Sequence, residues 1–167
     1  MPEQYTPPTA KEVTAAFAFG TQRATIRTQR GDIVIDLYGD RAPLTVANFI
    51  KLARAGMYKV SAFHRVVRNP QFWILEGNAK DNGAGSPDYT IKLEIVPQLK
   101  HEPGAIAMAR ANGDDSAASQ FYITLNSMPH LDGQYAVFGK VVKGLEVAQQ
   151  IRQGDMIVDV VVEPPRY

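Results

Sequence analysis

The chain has 167 residues, 45% of them apolar and 21% charged, with a net charge of +1 and no cysteine. These values describe one ordinary soluble domain, long enough to bury its own core. They exclude a disulfide framework, a thiol nucleophile and thiolate metal sites, and they give no electrostatic reason for a nucleic-acid or anionic-membrane partner.

Residues 1–22 read as a Pro-rich arm ahead of a domain spanning 23–167. The opening "MPEQYTPPTAKEVTAAFAFG" holds three prolines and shows no clear helix or strand period, although Phe17 and Phe19 are available to anchor its end. Its apolar piece "VTAAFAFG" is short, follows Lys11-Glu12 and lacks a convincing cleavage site, so it is not read as a signal peptide. No run approaches the roughly 18 apolar residues of a membrane-spanning helix. A cytoplasmic protein is expected, with an exported mature domain as the alternative.

From Arg23 the pattern sharpens. "RATIRTQ" and "DIVIDLY" flank Arg30-Gly31 as a hairpin, with Ile33, Ile35 and Leu37 marking one face at period two. Pro43 suits a first helical turn. Val46, Phe49, Ile50 and Ala53 then repeat at i, i+3, i+4 and i+7, so "PLTVANFIKLARAG" is an amphipathic helix ending at Gly56. Strands follow at 62–67, 72–76, 105–109, 120–125 and 136–142, separated by Gly- and Asn-rich connections. A second helix, "GLEVAQQIRQ", precedes a closing strand "MIVDVVV". Strands dominate without alternating with helices. The expectation is therefore a mainly β fold, a closed eight-stranded antiparallel barrel capped by two α-helices, because closure removes sheet edges.

Much familiar chemistry is missing. His64, His101 and His130 are far apart and have no metal-ligand companions, so no metal and no cofactor are expected. There is no GxSxG elbow and no P-loop, and "DNGAG" and "ANGD" have turn composition rather than phosphate-loop spacing. The adjacent Asp114 and Asp115 read as solvated loop residues. Catalysis, if present, must come from positioned dipoles and charges. Arg65, set in the apolar strand "AFHRVV", is the conspicuous charge. By pattern alone it is a functional cation or simply an ion-paired arginine on an exposed strand face.

The segments "GDIVIDLYGDRAPLTVANFI", "FHRVV", "GAIAMAR", "SQFYITL", "HLDGQYAVFGKV" and "GLEVAQQI" together resemble, in order, the cyclophilin family of peptidyl-prolyl cis/trans isomerases. The resemblance implies the capped barrel and an enzyme that accelerates rotation about Xaa–Pro bonds, assisting protein folding. It implies that Arg65 is the catalytic arginine and that Phe72, Tyr122 and Leu131 form the proline pocket, with tyrosine where the family usually has phenylalanine. Trp73 takes the place of a groove-lining methionine. Ala109, Arg110 and Gln120 match positions that hold substrate backbone, and Tyr135 one often filled by histidine. His130 stands where cyclosporin-sensitive members carry tryptophan, which argues against tight cyclosporin binding.

The stretch "FWILEGN" departs from the family's "FMIQGGD", and the spacing from Arg65 to Phe72 is two residues longer than usual. Leu75 replaces a glutamine that helps hold the arginine; Gln71 could substitute for it, or Glu76 could pair with Arg65. The supports of the guanidinium are thus altered, and weaker or differently selective activity is expected. The partners expected are Xaa–Pro segments of polypeptides, taken up by a monomer that binds no nucleic acid and does not insert into membranes. A module that grips proline segments without appreciable turnover is the alternative, and a hollow lipocalin-type barrel a weaker one, since the dense apolar strands imply a filled interior.

Overall fold

The structure is a computed structural model that describes residues 5–77, 89–110 and 118–163. The segment 78–88, the pair Asp114-Asp115 and both chain ends lie outside the described residues.

The two-period segments form the sheet they announce. Strands β1 (Thr21–Thr28) and β2 (Gly31–Tyr38) pair as a hairpin, and burial alternates along both. Ile26, Ile33, Ile35 and Leu37 are buried without exposed surface. Helix α2 (Pro43–Arg54) starts on its proline and buries Val46, Phe49, Ile50 and Ala53. Its first N–H groups, on Leu44 and Thr45, donate at 3.1 and 2.8 Å to the carboxylate of Glu94, an anion supplied from a distant part of the chain.

The expected strand at 62–67 is two strands, β3 (Ser61–Ala62) and β4 (Arg65–Arg68). Then come β5 (Trp73–Gly77), β6 (Ala105–Met108), β7 (Phe121–Thr124), β8 (Val137–Lys143) and β9 (Met156–Val162). All neighbours are antiparallel, in the order β3-β9-β1-β2-β8-β6-β7-β5-β4. The fold is mainly β, but the closed eight-stranded barrel is corrected to a curled nine-stranded sheet. Its two edges, β3 and β4, are joined through Phe63 and His64 instead of through a ladder. Phe63 explains the break: its N–H donates to Asp155 O and its carbonyl accepts from Gly154 N–H, both at 2.8 Å. Its hydrogen bonds are therefore spent while the chain crosses from β9 to β5.

Two further readings change. The second helix is only α3 (Leu145–Ala148), because the Asp155 carboxylate takes the Arg152 N–H at 2.7 Å and turns the chain out of the helix. Gly144 starts it at φ 88°, where a Cβ would lie 2.2 Å from Asp32 O, so no other residue fits there.

The arm, read as lacking helical period, contains helix α1 (Ala10–Phe19), which packs on α2. Thr9 caps it: its hydroxyl accepts from Glu12 N–H at 3.1 Å while Glu12 accepts from Thr9 N–H at 2.9 Å. Lys51 of α2 then bonds Glu12 at 2.9 Å and holds that carboxyl below its ordinary range. Ala16 is its buried contact, whereas Phe17 is 58% exposed and anchors nothing. Thr9→Ala is expected to lower stability by about 1 kcal/mol in urea denaturation, the usual worth of such a cap.

Strand parity sorts side chains onto two faces. Leu75, Ile106, Met108, Phe121 and Ile123 join Phe49, Tyr58, Phe63 and Phe138 in the main core. Ala105, Ala107, Tyr122 and Val137 form a smaller outer cluster, against which Ile74, Ala109, Leu131 and Tyr135 pack. The candidate site lies on that outer face.

Candidate functional site

A shallow groove of about 330 Å³ opens on the outer face of β4, β5, β6 and β7. Three strands supply one row across it: β4 pairs Arg65 with Glu76 on β5, and β5 pairs Glu76 with Tyr122 on β7. Parity from Glu76 brings Ile74 and Phe72 to the same side. The wall is the turn of 3₁₀-helix Pro129–Leu131 and the loop after it, giving His130, Leu131 and Tyr135, with Met128 just before. Ala109 and Arg110 close the far end.

The chemistry divides into an apolar slot and a cation. Phe72 meets the His130 ring edge-on at 5.0 Å and 84°, and Tyr122 meets Tyr135 edge-on at 5.6 Å and 88°. Leu131 lies among them. Beside this slot, the Arg65 side chain is 58% exposed, and its Nη1 donates to Glu76 Oε2 at 3.3 Å. His64 Nε2 stands 4.0 Å from the same oxygen. At the other end the Arg110 guanidinium lies 5.1 Å from the centre of the Tyr135 ring, and its Nε donates to Gln134 O at 2.9 Å.

Four expected site residues fall elsewhere. Trp73, expected to wall the groove, packs toward the main core on the opposite face, where the Arg68 guanidinium stacks on its ring at 4.6 Å. Leu75 is fully buried in that core, so it is Glu76 that faces Arg65. Gln71 sits exposed in the β4–β5 turn, its N–H donating to Asn69 Oδ1 at 2.9 Å. Gln120 lies outside the groove lining; its carbonyl accepts from Ala109 N–H at 2.9 Å. For Gln71, Trp73 and Leu75 the cause is strand parity, whereas Gln120 shares the parity of Tyr122 but lies just before β7 begins. The motif places residues by order, but a strand reverses face at each step, and the pairing puts Glu76 opposite the arginine.

Ile74 and Met128 line the groove without having been singled out, and so does the support below it. His101, read from the sequence only as lacking metal-ligand companions, is buried beneath Tyr122: its Nε2 lies 2.6 Å from the Tyr122 hydroxyl and its Nδ1 2.8 Å from Asp132 Oδ1. Burial pushes the His101 imidazole below its ordinary value, against the opposing pull of Asp132. Burial acts to raise Asp132, but the backbone and ring N–H groups of His101 outweigh it and leave that carboxyl low. The Tyr122 phenol is driven up, first by burial and then by nearby Tyr135 and Glu76, and stays protonated.

The shifts of His101 and Asp132, unlike that of Tyr122, share one sign with that of Asp155, which hydrogen bonds from Arg30 hold low. In each case the unfolded chain takes up its proton at a higher pH than the folded one. The stabilisation is complete above the unfolded values, 6.5 for His101 and 3.8 for the two aspartates, and is lost as pH falls through the lower folded ones. Urea midpoints are therefore expected to hold near neutrality, to decline below about pH 6.5, and to drop more steeply in the carboxylate range. A His101→Gln variant should lose the shallow part of that decline.

Comparison with known proteins places this geometry. The model of the cyclophilin type peptidyl-prolyl cis-trans isomerase family matches residues 23–166. A peptidyl-prolyl cis-trans isomerase of Helicobacter pylori strain J99 is 41% identical over 147 residues, which is 86% of this chain and 89% of that one. Peptidyl-prolyl cis-trans isomerase B of Bacillus subtilis strain 168 is 46% identical over 132 residues, 78% of this chain and 90% of its own. The crystal structure of a Cryptosporidium parvum cyclophilin type peptidyl-prolyl cis-trans isomerase superposes with TM-score 0.76 at 29% identity, covering 86% of this chain and 98% of that chain. The same C. parvum protein, solved in the presence of the dipeptide Ala-Pro, gives 0.75.

Proposed function

The chain belongs to the cyclophilin family of peptidyl-prolyl cis/trans isomerases, and from that premise we propose that Arg65 is its catalytic donor and that Phe72, Tyr122 and Leu131 hold the proline ring. The observation that carries the assignment is the placement of the Arg65 guanidinium on the same sheet face as the apolar slot, at the end opposite Arg110.

An Xaa–Pro bond resists rotation by about 18–20 kcal/mol because C–N resonance must be broken. In the twisted transition state the prolyl nitrogen becomes pyramidal and regains a lone pair. A donor aimed at that nitrogen binds the twisted bond better than either planar isomer, and this differential binding is catalysis. Arginine suits the task because it stays charged and presents a rigid fork of donors. Glu76 engages Nη1, which fixes the guanidinium at the groove's edge and leaves Nε and Nη2 for substrate. No covalent bond forms and no proton is finally moved, in keeping with a site built from a cation and rings.

The ring slot also accounts for substrate class. A pyrrolidine ring is small and apolar enough to lie on Tyr122 between Phe72 and Leu131, and the C. parvum protein was solved in the presence of a dipeptide of that kind, Ala-Pro. The test is exchange NMR on an Xaa–Pro tetrapeptide with substoichiometric protein. Cis and trans signals that broaden and exchange support the reading. Shifts that report binding without faster exchange would overturn it in favour of a binding module.

A further inference from the structure

We infer that His101 and Asp132 are positioning residues for the proline slot, with the imidazole fastening the slot's floor to its wall through the hydroxyl of Tyr122. This rests on the assignment of the groove as the proline site.

Every polar group of His101 is spent on residues of that groove or next to them. Its carbonyl accepts from Met128 N–H at 2.9 Å, and its N–H donates to Asp132 Oδ1 at 2.7 Å. Its Nδ1 meets the same oxygen at 2.8 Å and its Nε2 meets the Tyr122 hydroxyl at 2.6 Å. The ring also lies parallel to Tyr122, 7° off plane at 5.8 Å, with Tyr135 edge-on to it at 6.4 Å. Met128 and Asp132 bracket His130 and Leu131, so one buried residue grips the wall at both sides of the two residues that face substrate.

The proton positions follow from chemistry. A carboxylate oxygen only accepts, so the hydrogen between His101 and Asp132 belongs to Nδ1. The neutral imidazole then has a bare Nε2, and the Tyr122 O–H must donate to it. The phenol is held by its hydroxyl while Tyr122 lines the groove. A core that needed only bulk here would be served by an apolar side chain without the desolvation cost of a histidine and a phenol. What the polar chain adds is directionality: it fixes the tilt of Tyr122 and the distance to Leu131.

The consequence concerns ring binding rather than bond rotation. The slot holds the pyrrolidine in the cis, twisted and trans states alike, and such uniform binding acts on KM and leaves kcat unchanged. Among the described residues no hydrogen bond joins Arg65 to His101, Asp132 or Tyr122, and the guanidinium acts on the twisted state. The two roles are therefore separable.

The experiment measures kcat and KM of the full chain on an Xaa–Pro tetrapeptide and on its counterpart with the six-membered pipecolic acid ring. Tyr122→Phe, which removes one oxygen, is the primary variant; Asp132→Asn and His101→Gln follow, and Arg65→Ala is run alongside. Loss of one buried hydrogen bond leads us to expect KM for proline to rise about five-fold in Tyr122→Phe with kcat within two-fold. The preference for proline over pipecolic acid should shrink. His101→Gln, which keeps a donor and an acceptor, should recover part of the loss seen in an added His101→Phe variant. Unchanged KM and unchanged ring preference in Tyr122→Phe would overturn the inference, as would a fall in kcat equal to that in kcat/KM. If those results came with a large loss in Arg65→Ala, only the positioning role would fail; if Arg65→Ala were also silent, the assignment of the groove would fall with it.

Discussion

Arg65→Ala is expected to lower kcat/KM on an Xaa–Pro tetrapeptide about a hundredfold, almost entirely in kcat. A charge-assisted hydrogen bond made only in the twisted state is worth about 3 kcal/mol, and each 1.36 kcal/mol is tenfold in rate. Ring burial in the slot is untouched, so KM should barely move. The fold should not suffer either, because Arg65 is exposed and its pair with Glu76 sits at the surface. Arg65→Lys keeps the charge but loses the planar fork, and should regain only a fraction of the rate. Exchange NMR or a coupled peptide assay reads the outcome. Equal rates for wild type and Arg65→Ala would remove the guanidinium from the mechanism and leave the slot as a binding site alone.

Phe49→Ala should have the largest effect on stability. Phe49 has no exposed surface, and its ring touches those of Tyr58 at 5.0 Å, Phe138 at 5.3 Å and Phe121 at 5.9 Å. It thus joins α2 to two strands from different parts of the sheet. Truncation leaves a cavity that such rigid rings cannot collapse into, at a cost of about 3–5 kcal/mol. A domain stable by about 5–15 kcal/mol would survive it, with little margin. The urea midpoint should fall accordingly, while activity per folded molecule stays close to that of wild type, since the groove lies on the other face. A loss under about 1 kcal/mol would mean that this aromatic cluster is not the centre of the core.

What the sequence made legible follows from period. Ile33, Ile35 and Leu37 alternate and Val46, Phe49, Ile50 and Ala53 recur at helical spacing, and those elements sit where the patterns put them. Helix α1 was harder because only Ala16 is buried along it, so no apolar stripe betrays it. Thr9 followed at the third residue by Glu12 is a capping signal that the reading of this stretch did not use. The break at Phe63 and His64 depends on backbone hydrogen bonds to Gly154 and Asp155, which no local pattern reveals.

In the site, Arg65, Phe72, Tyr122, His130, Leu131 and Tyr135 were found by motif and do share one groove. Trp73 and Leu75 were misplaced by a single step of register, enough to carry a side chain through the sheet. His101 was out of reach for another reason. Its partners Tyr122 and Asp132 lie 21 and 31 residues away, and a lone histidine acquires meaning only once such partners are folded against it.

The pairing of β1 with β9 has a consequence for biosynthesis. Thr25 lies beside Val161 and Ile26 beside Val160, so β1 must wait for a partner strand that is made much later. At translation rates of 5–20 residues per second that wait is on the order of ten seconds. Throughout it, one flank of the nascent hairpin has its amide groups bare to any passing chain. Arg23 and Arg27, matched across the hairpin by Asp36 and Asp32, line that strand with charged side chains, which discourage pairing with a foreign chain until the rightful neighbour is made.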